Sequence, residues 1–216
     1  MASLLDEINE YKVSSKKKAS PEKQRLYAQA IKELEAFGVA RGLKEGDPAP
    51  DFSLPDATAK KVTLSEELAK GPVIISFYRG GWCPYCNLEL RAYQRSLPEI
   101  QKAGARLIAI SPQTPDASLS TKEKDELEFA VLSDKDGKVA AHYHLLFKLQ
   151  DYLIDLYKES GIDLEERNGN EKWELPKPAT FVINQKGNIV FAHVSSDYKV
   201  RTDPVEVINV VKGLGK

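Results

Sequence analysis

From Val73 to Ile110 the chain passes through four segments whose order leaves little choice of fold. Val73-Ile-Ile-Ser-Phe-Tyr78 is a continuous apolar run, the pattern of a strand buried on both faces of a sheet. After a glycine-containing turn, Leu88, Ala92, Tyr93, Leu97 and Ile100 recur at helical spacing until Gly104 stops them. Arg106-Leu-Ile-Ala-Ile110 is a second buried run. A strand, a helix and a strand within about 40 residues form a βαβ unit, which requires parallel strands joined by a right-handed crossover. The class is α/β, with a central sheet flanked by helices.

The flanks are read from the same periodicities. Leu4, Leu5, Ile8 and Tyr11 have helical spacing; a second helix starts at Pro21, with Ser20 as its N-cap, and runs through Leu26, Ala30, Ile31, Leu34 and Phe37 to Gly38. Lys16-Lys17-Lys18 between them reads as a solvated linker. Glycine, proline and charge interrupt the pattern in GLKEGDPAP, so residues 1–43 are expected to form a helical arm and residues 44–216 the main domain. That domain should open with a small hairpin, Phe52-Ser-Leu54 and Val62-Thr-Leu64, followed by a short helix from Ser65. Beyond the βαβ unit the pattern predicts a charged helix near residues 117–126, a strand at 129–132 and a helix over 136–147. An insertion at 148–177 is helical through Tyr152, Leu153, Leu156 and Tyr157 and then irregular. Thr180-Phe-Val-Ile183 and Ile189-Val-Phe-Ala192 form a hairpin, and Asp203-Pro204 opens a last helix.

The turn inside the βαβ unit, YRGGWCPYC, holds both cysteines of the 216-residue chain. A chain this long buries an adequate core without crosslinks, so the pair is not needed as a staple. Lysine plus arginine total 31 against 32 acidic residues, a balance that argues against a nucleic-acid or anionic-membrane surface. Asp6, Glu7 and Glu10 interrupt the apolar stretch that a signal peptide would need, and the reading is cytoplasmic, where close cysteines serve redox or metal chemistry. Zinc fits poorly, because only His142, His144 and His193 could complete four ligands; no metal or cofactor is expected.

At a strand-to-helix junction Cys83 falls at the helix start and Cys86 lies one turn deeper, with Pro84 suited to the first helical position. Helix-terminal amides should acidify Cys83, and a thiol pKa lowered from about 8.5 to about 7 raises the neutral-pH thiolate from roughly 3% to about half. Cys86, more buried, should stay protonated and react second. Inert core packing is the alternative for any buried cysteine pair.

The strand, WCPYC, Lys177-Pro-Ala-Thr-Phe181 and the βαβ-then-hairpin order resemble the thioredoxin-like superfamily. Within it, GDPAPDFSLPD, LIAISPQ, LSDKDGKVAAHY and YKVRTDP resemble the peroxiredoxin family, in the branch of alkyl hydroperoxide reductases and thiol-specific antioxidants. The resemblance covers about residues 44–213. It implies a thioredoxin-like, peroxiredoxin-type central mixed sheet flanked by helices. Cys83 matches the peroxidatic cysteine, Arg201 the arginine that leans over its thiolate, and Pro178 a cis-proline facing it. Two family positions differ: the threonine three residues before the reactive cysteine is Gly80, and the proline four before that is Ser76. Arg79 then supplies part of the missing hydrogen bonding and charge, and Cys86 stands where many members have glutamate.

The activity this resemblance implies is that of a thiol peroxidase, which reduces hydrogen peroxide or organic hydroperoxides through Cys83, with Cys86 resolving, Arg201 assisting, and Arg79, Gly80, Trp82 and Pro178 around the substrate. Thioredoxin or glutaredoxin is the implied reductant. Cys-Pro-Tyr-Cys is also the glutaredoxin tetrapeptide, so a protein disulfide oxidoreductase is the alternative, and a binding module with idle cysteines a third reading. The amphipathic arm and exposed sheet edges are compatible with a homodimer.

Overall fold

The structure, a computed structural model, describes residues 3–215; Met1, Ala2 and Lys216, the outer ends of the expected arm and main domain, lie outside the described residues. Two helices come first, α1 (Leu4–Lys18) and α2 (Pro21–Ala36). Ser3 and Asp6 form a reciprocal capping box on α1, and Ser20 caps α2 ahead of Pro21. Lys16-Lys17-Lys18 is therefore the last turn of α1 and not a linker: three cations at a helix C-terminus face the negative end of its dipole.

A small hairpin, β1 (Ser53–Pro55) and β2 (Lys61–Thr63), and a short helix, α3 (Leu64–Leu68), lead into β3 (Val73–Phe77). Then come α4 (Pro84–Lys102), β4 (Arg106–Ser111), α5 (Pro115–Lys124), β5 (Ala130–Ser133) and α6 (Lys138–His142). The chain continues through β6 (Leu146–Lys148), α7 (Asp151–Glu159), α8 (Leu164–Asn168), β7 (Glu174–Pro176), β8 (Ala179–Ile183), β9 (Ile189–Val194) and α9 (Pro204–Gly213).

The main sheet has the order β5-β4-β3-β8-β9. β3, β4 and β5 are mutually parallel, as the βαβ reading requires, while β8 and β9 run antiparallel, so the sheet is mixed. Its central strand, β3, alternates faces: Ile74 and Tyr78 join the core under α4, α9 and α1, whereas Val73, Ile75 and Phe77 join the core on the opposite face. Leu4 and Ile8 of α1 sit in the first of these cores, and Ala30 of α2 in a third that α7 and α8 build with Phe147, Trp173 and Leu175. Leu4, Ile8 and Ala30 are thus buried on their own chain and Leu26, Tyr27 and Leu34 pack partly buried against the third core, while Leu5 of α1 and Phe37, the C-cap of α2, are exposed. No helix among the described residues is long and apolar enough to cross a membrane.

Three local expectations are corrected. The helix expected over 136–147 ends at His142: His144 turns to φ 54°, Leu145 N–H closes on Ala140 O, and Leu146–Lys148 becomes strand by pairing with Glu174–Pro176. That pairing also makes the second half of 148–177 regular, because α8 and β7 replace the expected irregular stretch. Lys177–Pro178 is not cis, since no cis peptide occurs among the described residues; the extended run from β7 into β8 keeps the Lys177 amide on Leu145 O at 2.9 Å.

Candidate active site

The turn after β3 is held from several sides. Tyr78 N–H continues the sheet by bonding Ile110 O at 2.9 Å. Gly81 N–H donates to Gln113 Oε1 at 2.6 Å, Gly81 O accepts from Asn87 Nδ2 at 2.9 Å, and Cys83 N–H donates to Gly80 O at 3.0 Å. Gly80 adopts φ 143°, and a Cβ there would overlap the Trp82 indole nitrogen. The turn thus has no room for a threonine at that position, because the Trp82 indole takes the space. It delivers Cys83 to the N-cap of α4, with Pro84 at the first helical position.

Both cysteines are free and buried, Cys83 at 2% exposure and Cys86 at none. The two sulfurs are near enough that each bears on the ionisation of the other. Arg201, beyond β9, donates from Nη2 to Cys86 Sγ at 3.4 Å, forms a buried ion pair with Glu89, and donates to Tyr198 O at 2.8 Å. Cys86 and Glu89 are three residues apart and so share one face of α4, which lets a single guanidinium serve both.

This arrangement reverses the expected charge on the resting pair. Burial pushes the Cys83 thiol well up, and negative charge on Cys86 adds to it. At Cys86 burial acts in the same direction, but the Cys83 hydrogen bond, the Arg201 charge and the Arg79 amide outweigh it and hold that thiol well below its ordinary value. A full cation 3.4 Å away outweighs the partial charge of a helix terminus. The two sulfurs therefore hold one proton between them, and their titration belongs to the pair. Glu89 is pushed up to about 7, first by burial and further by negative charge on Cys86, with Arg201 acting against both. One cation cannot fully compensate two acids.

Cys83 lies against a cavity of about 480 Å³. Six aromatic side chains line it: Tyr11 and Tyr27 from the N-terminal helices, then Trp82, Tyr85, Tyr157 and Tyr198. Arg79, 4% exposed, also lines it, its guanidinium 5.0 Å from the Trp82 ring centroid, 5.7 Å from that of Tyr157 and 4.5 Å from that of Tyr198. Arg79 donates to Tyr157 Oη, and among the described residues no carboxylate stands within ion-pair distance of it. Arg79 Nε and Trp82 Nε1 are buried donors with no partner among the described residues.

Of the residues singled out from sequence, Cys83, Arg79 and Trp82 meet on the cavity, and Cys86 lies behind Cys83 with Arg201. Arg201 contacts Cys86, not Cys83 as expected, because its second anchor, Glu89, is one turn further along α4. Gly80 shapes the turn without lining the cavity, and Pro178 lines a separate cavity of about 30 Å³ on the far side of Arg79, Tyr157 and Tyr198. Sequence reasoning passed over Glu89, whose i+3 spacing from Cys86 was a usable signal, and Tyr11 and Tyr27, for which only the helix packing is informative.

A family model described as the AhpC/TSA family matches residues 45–192. Peroxiredoxin Bcp of Escherichia coli (strain K12) is 28% identical over 170 residues, covering 79% of this chain and 96% of that protein. The chloroplastic peroxiredoxin Q of Suaeda salsa is 35% identical over 97 residues, 45% of each chain. Among solved structures, the peroxidoxin BcpB of Mycobacterium tuberculosis superposes with a TM-score of 0.63 at 23% identity, covering 80% of this chain and 98% of that one. A peroxiredoxin Q from Xanthomonas campestris gives a TM-score of 0.58 at 19% identity, covering 76% of this chain and 92% of that one. These last two establish the shared fold.

Proposed function

Because the chain belongs to the AhpC/TSA family and is a thiol peroxidase, we propose that Cys83 is the sulfur that meets the peroxide and Cys86 the one that resolves it. One observation carries the assignment: of the two sulfurs Cys83 alone lines the cavity, while Cys86 is fully buried behind it. The shared proton moves to Cys86 as Cys83 Sγ attacks the distal peroxide oxygen. The O–O bond breaks, and the departing water or alcohol oxygen takes up a proton, leaving Cys83 as sulfenic acid. Cys86 Sγ then attacks Cys83 Sγ, water leaves, and a disulfide closes. The net reaction converts a thiol, a thiolate, a hydroperoxide and one proton into a disulfide, an alcohol or water, and water. An external dithiol of the thioredoxin or glutaredoxin type returns the pair to the reduced state.

Arg79 and Trp82, which line the cavity with Cys83 and whose Nε and Nε1 have no partner among the described residues, are the donors for the peroxide oxygens in this scheme. Arg201 stabilises the Cys86 thiolate and so acts on Cys83 through its neighbour. The alternative, a protein disulfide oxidoreductase, is disfavoured by the burial of Cys83 under side chains of α1 and α2, which a macromolecular disulfide would have to displace.

Stopped-flow mixing of the reduced protein with peroxide, followed through Trp82 emission, tests the reading. Cys83→Ser should lower the oxidation rate by about 10³-fold or more. Cys86→Ser should still react and accumulate a sulfenic acid that a dimedone probe captures. A Cys83→Ser protein that oxidises at the wild-type rate would sink the assignment.

A further inference from the structure

Hydrogen peroxide needs little more room than a water molecule, whose share of liquid volume is about 30 Å³. The cavity over Cys83 is about 480 Å³, within the range of sites built for organic ligands. Six of its sixteen lining residues are aromatic, and its charge is one-sided: Lys12, Lys16, Arg79 and Lys199 line it, with no aspartate or glutamate among the lining residues. Asp197 neutralises Lys199 at 3.7 Å. Among the described residues, neither Lys12 nor Lys16 has a carboxylate within ion-pair distance, and Arg79 is buried without one. A desolvated cation of that kind is costly unless an anion reaches it.

Lys12 and Lys16 are four apart on α1 and so present their charges on one side of that helix, next to Tyr11 and Ser15 of the same wall. Lys16 is exposed and Lys12 half-buried, so the pair extends from the solvent toward the aromatic interior. Both precede residue 45, where the family match begins. The cationic wall thus belongs to a part of the chain outside that match.

Resting on the peroxidase reading above, we propose that this site takes organic hydroperoxides that carry a carboxylate, whose hydrocarbon body lies among the aromatic rings and whose carboxylate is held by Lys12 and Lys16. The chemistry is unchanged: Cys83 Sγ takes the distal oxygen, the O–O bond breaks, and the hydroxy acid leaves after its alkoxide oxygen gains a proton.

The test compares para-carboxycumene hydroperoxide with its methyl ester, a pair alike in shape and different in charge, by stopped-flow oxidation of the full-length reduced protein. The acid should react at least about tenfold faster than the ester, and this ratio should shrink as salt screens the lysines. In Lys12→Glu/Lys16→Glu the ratio should fall to one or below; the ratio is internal to each protein and independent of the active fraction. Equal acid and ester rates in the wild type, or a ratio unchanged in the double variant, would overturn the substrate class while leaving the peroxidase reading intact. Failure of hydrogen peroxide, acid and ester alike to oxidise Cys83 would overturn both.

Discussion

Two arginines are buried beside the cysteine pair, Arg79 at 4% exposure and Arg201 at 5%, and their surroundings have little in common. Arg201 is compensated at rest by Glu89, the Cys86 sulfur and the Tyr198 carbonyl. Arg79 is surrounded by three aromatic rings and one tyrosine hydroxyl, with Nε unpartnered. Ring faces offset part of the desolvation of a cation but do not cancel its charge. The contrast divides the labour: Arg201 sets the charge of the resting dithiol, and Arg79 keeps its charge available for what enters the cavity.

The largest expected effect comes from removing the compensated member. Arg201→Met leaves Glu89 buried without its cation and withdraws the positive charge from Cys86, so the fold should lose about 3–5 kcal/mol. The urea midpoint reads this loss, and the ultraviolet absorbance of the thiolate should move to higher pH in whatever remains folded. Unchanged stability would break the comparison, because it would mean that Arg201 is no better compensated than Arg79.

Arg79→Met should do the opposite on both counts. No ion pair is broken, and the lost cation–π contacts limit the stability change to about 1–2 kcal/mol. Oxidation of Cys83 by peroxide should nonetheless slow by about 10²-fold, the usual cost of deleting a donor to the reacting oxygen. Wild-type rates in this variant would remove Arg79 from the reaction and leave Trp82 Nε1 as the donor to test next.

The same contrast separates what could be read from the sequence from what could not. The βαβ unit and the placement of Cys83 at the start of α4 are properties of local periodicity and capping, and they hold in the structure. The resting charge of the cysteines is not local. It depends on Arg201, brought from beyond β9, meeting Cys86 and Glu89 on one face of a helix begun more than a hundred residues earlier. The pairing of β6 with β7 was hidden for a related reason: Leu146–Lys148 continues a helical apolar pattern, and only its distant partner, Glu174–Pro176, makes it a strand. Tyr11 reads as an ordinary helix-face residue, and Tyr27 lies outside the periodic apolar positions of its helix, until α1 and α2 bring them to the cavity.

Glu89→Gln is the smallest of these perturbations and the most discriminating. In the wild type the buried carboxyl titrates near 7 because burial disfavours its charge and the Cys86 thiolate competes with it for Arg201. Its folded pKa lies above its unfolded one, so the fold binds the extra proton, and the stability it contributes is present below about 4.5 and is lost as pH rises toward 7. The wild-type urea midpoint should therefore fall relative to that of the variant between about pH 5 and about pH 7. Glutamine keeps a hydrogen bond to Arg201 but not the charge, leaving the cation to the Cys86 sulfur alone. Glutamine resembles the protonated carboxyl that prevails at about pH 5.5, so the oxidation rate should change little there, whereas at about pH 8 the variant no longer sets a carboxylate against the Cys86 sulfur and should hold the thiolate charge at least as well as the wild type. A wild-type urea midpoint that runs parallel to that of the variant from about pH 5 to about pH 7 would mean that Glu89 keeps an ordinary carboxylate pKa, and that Glu89 and Cys86 do not compete for the guanidinium charge.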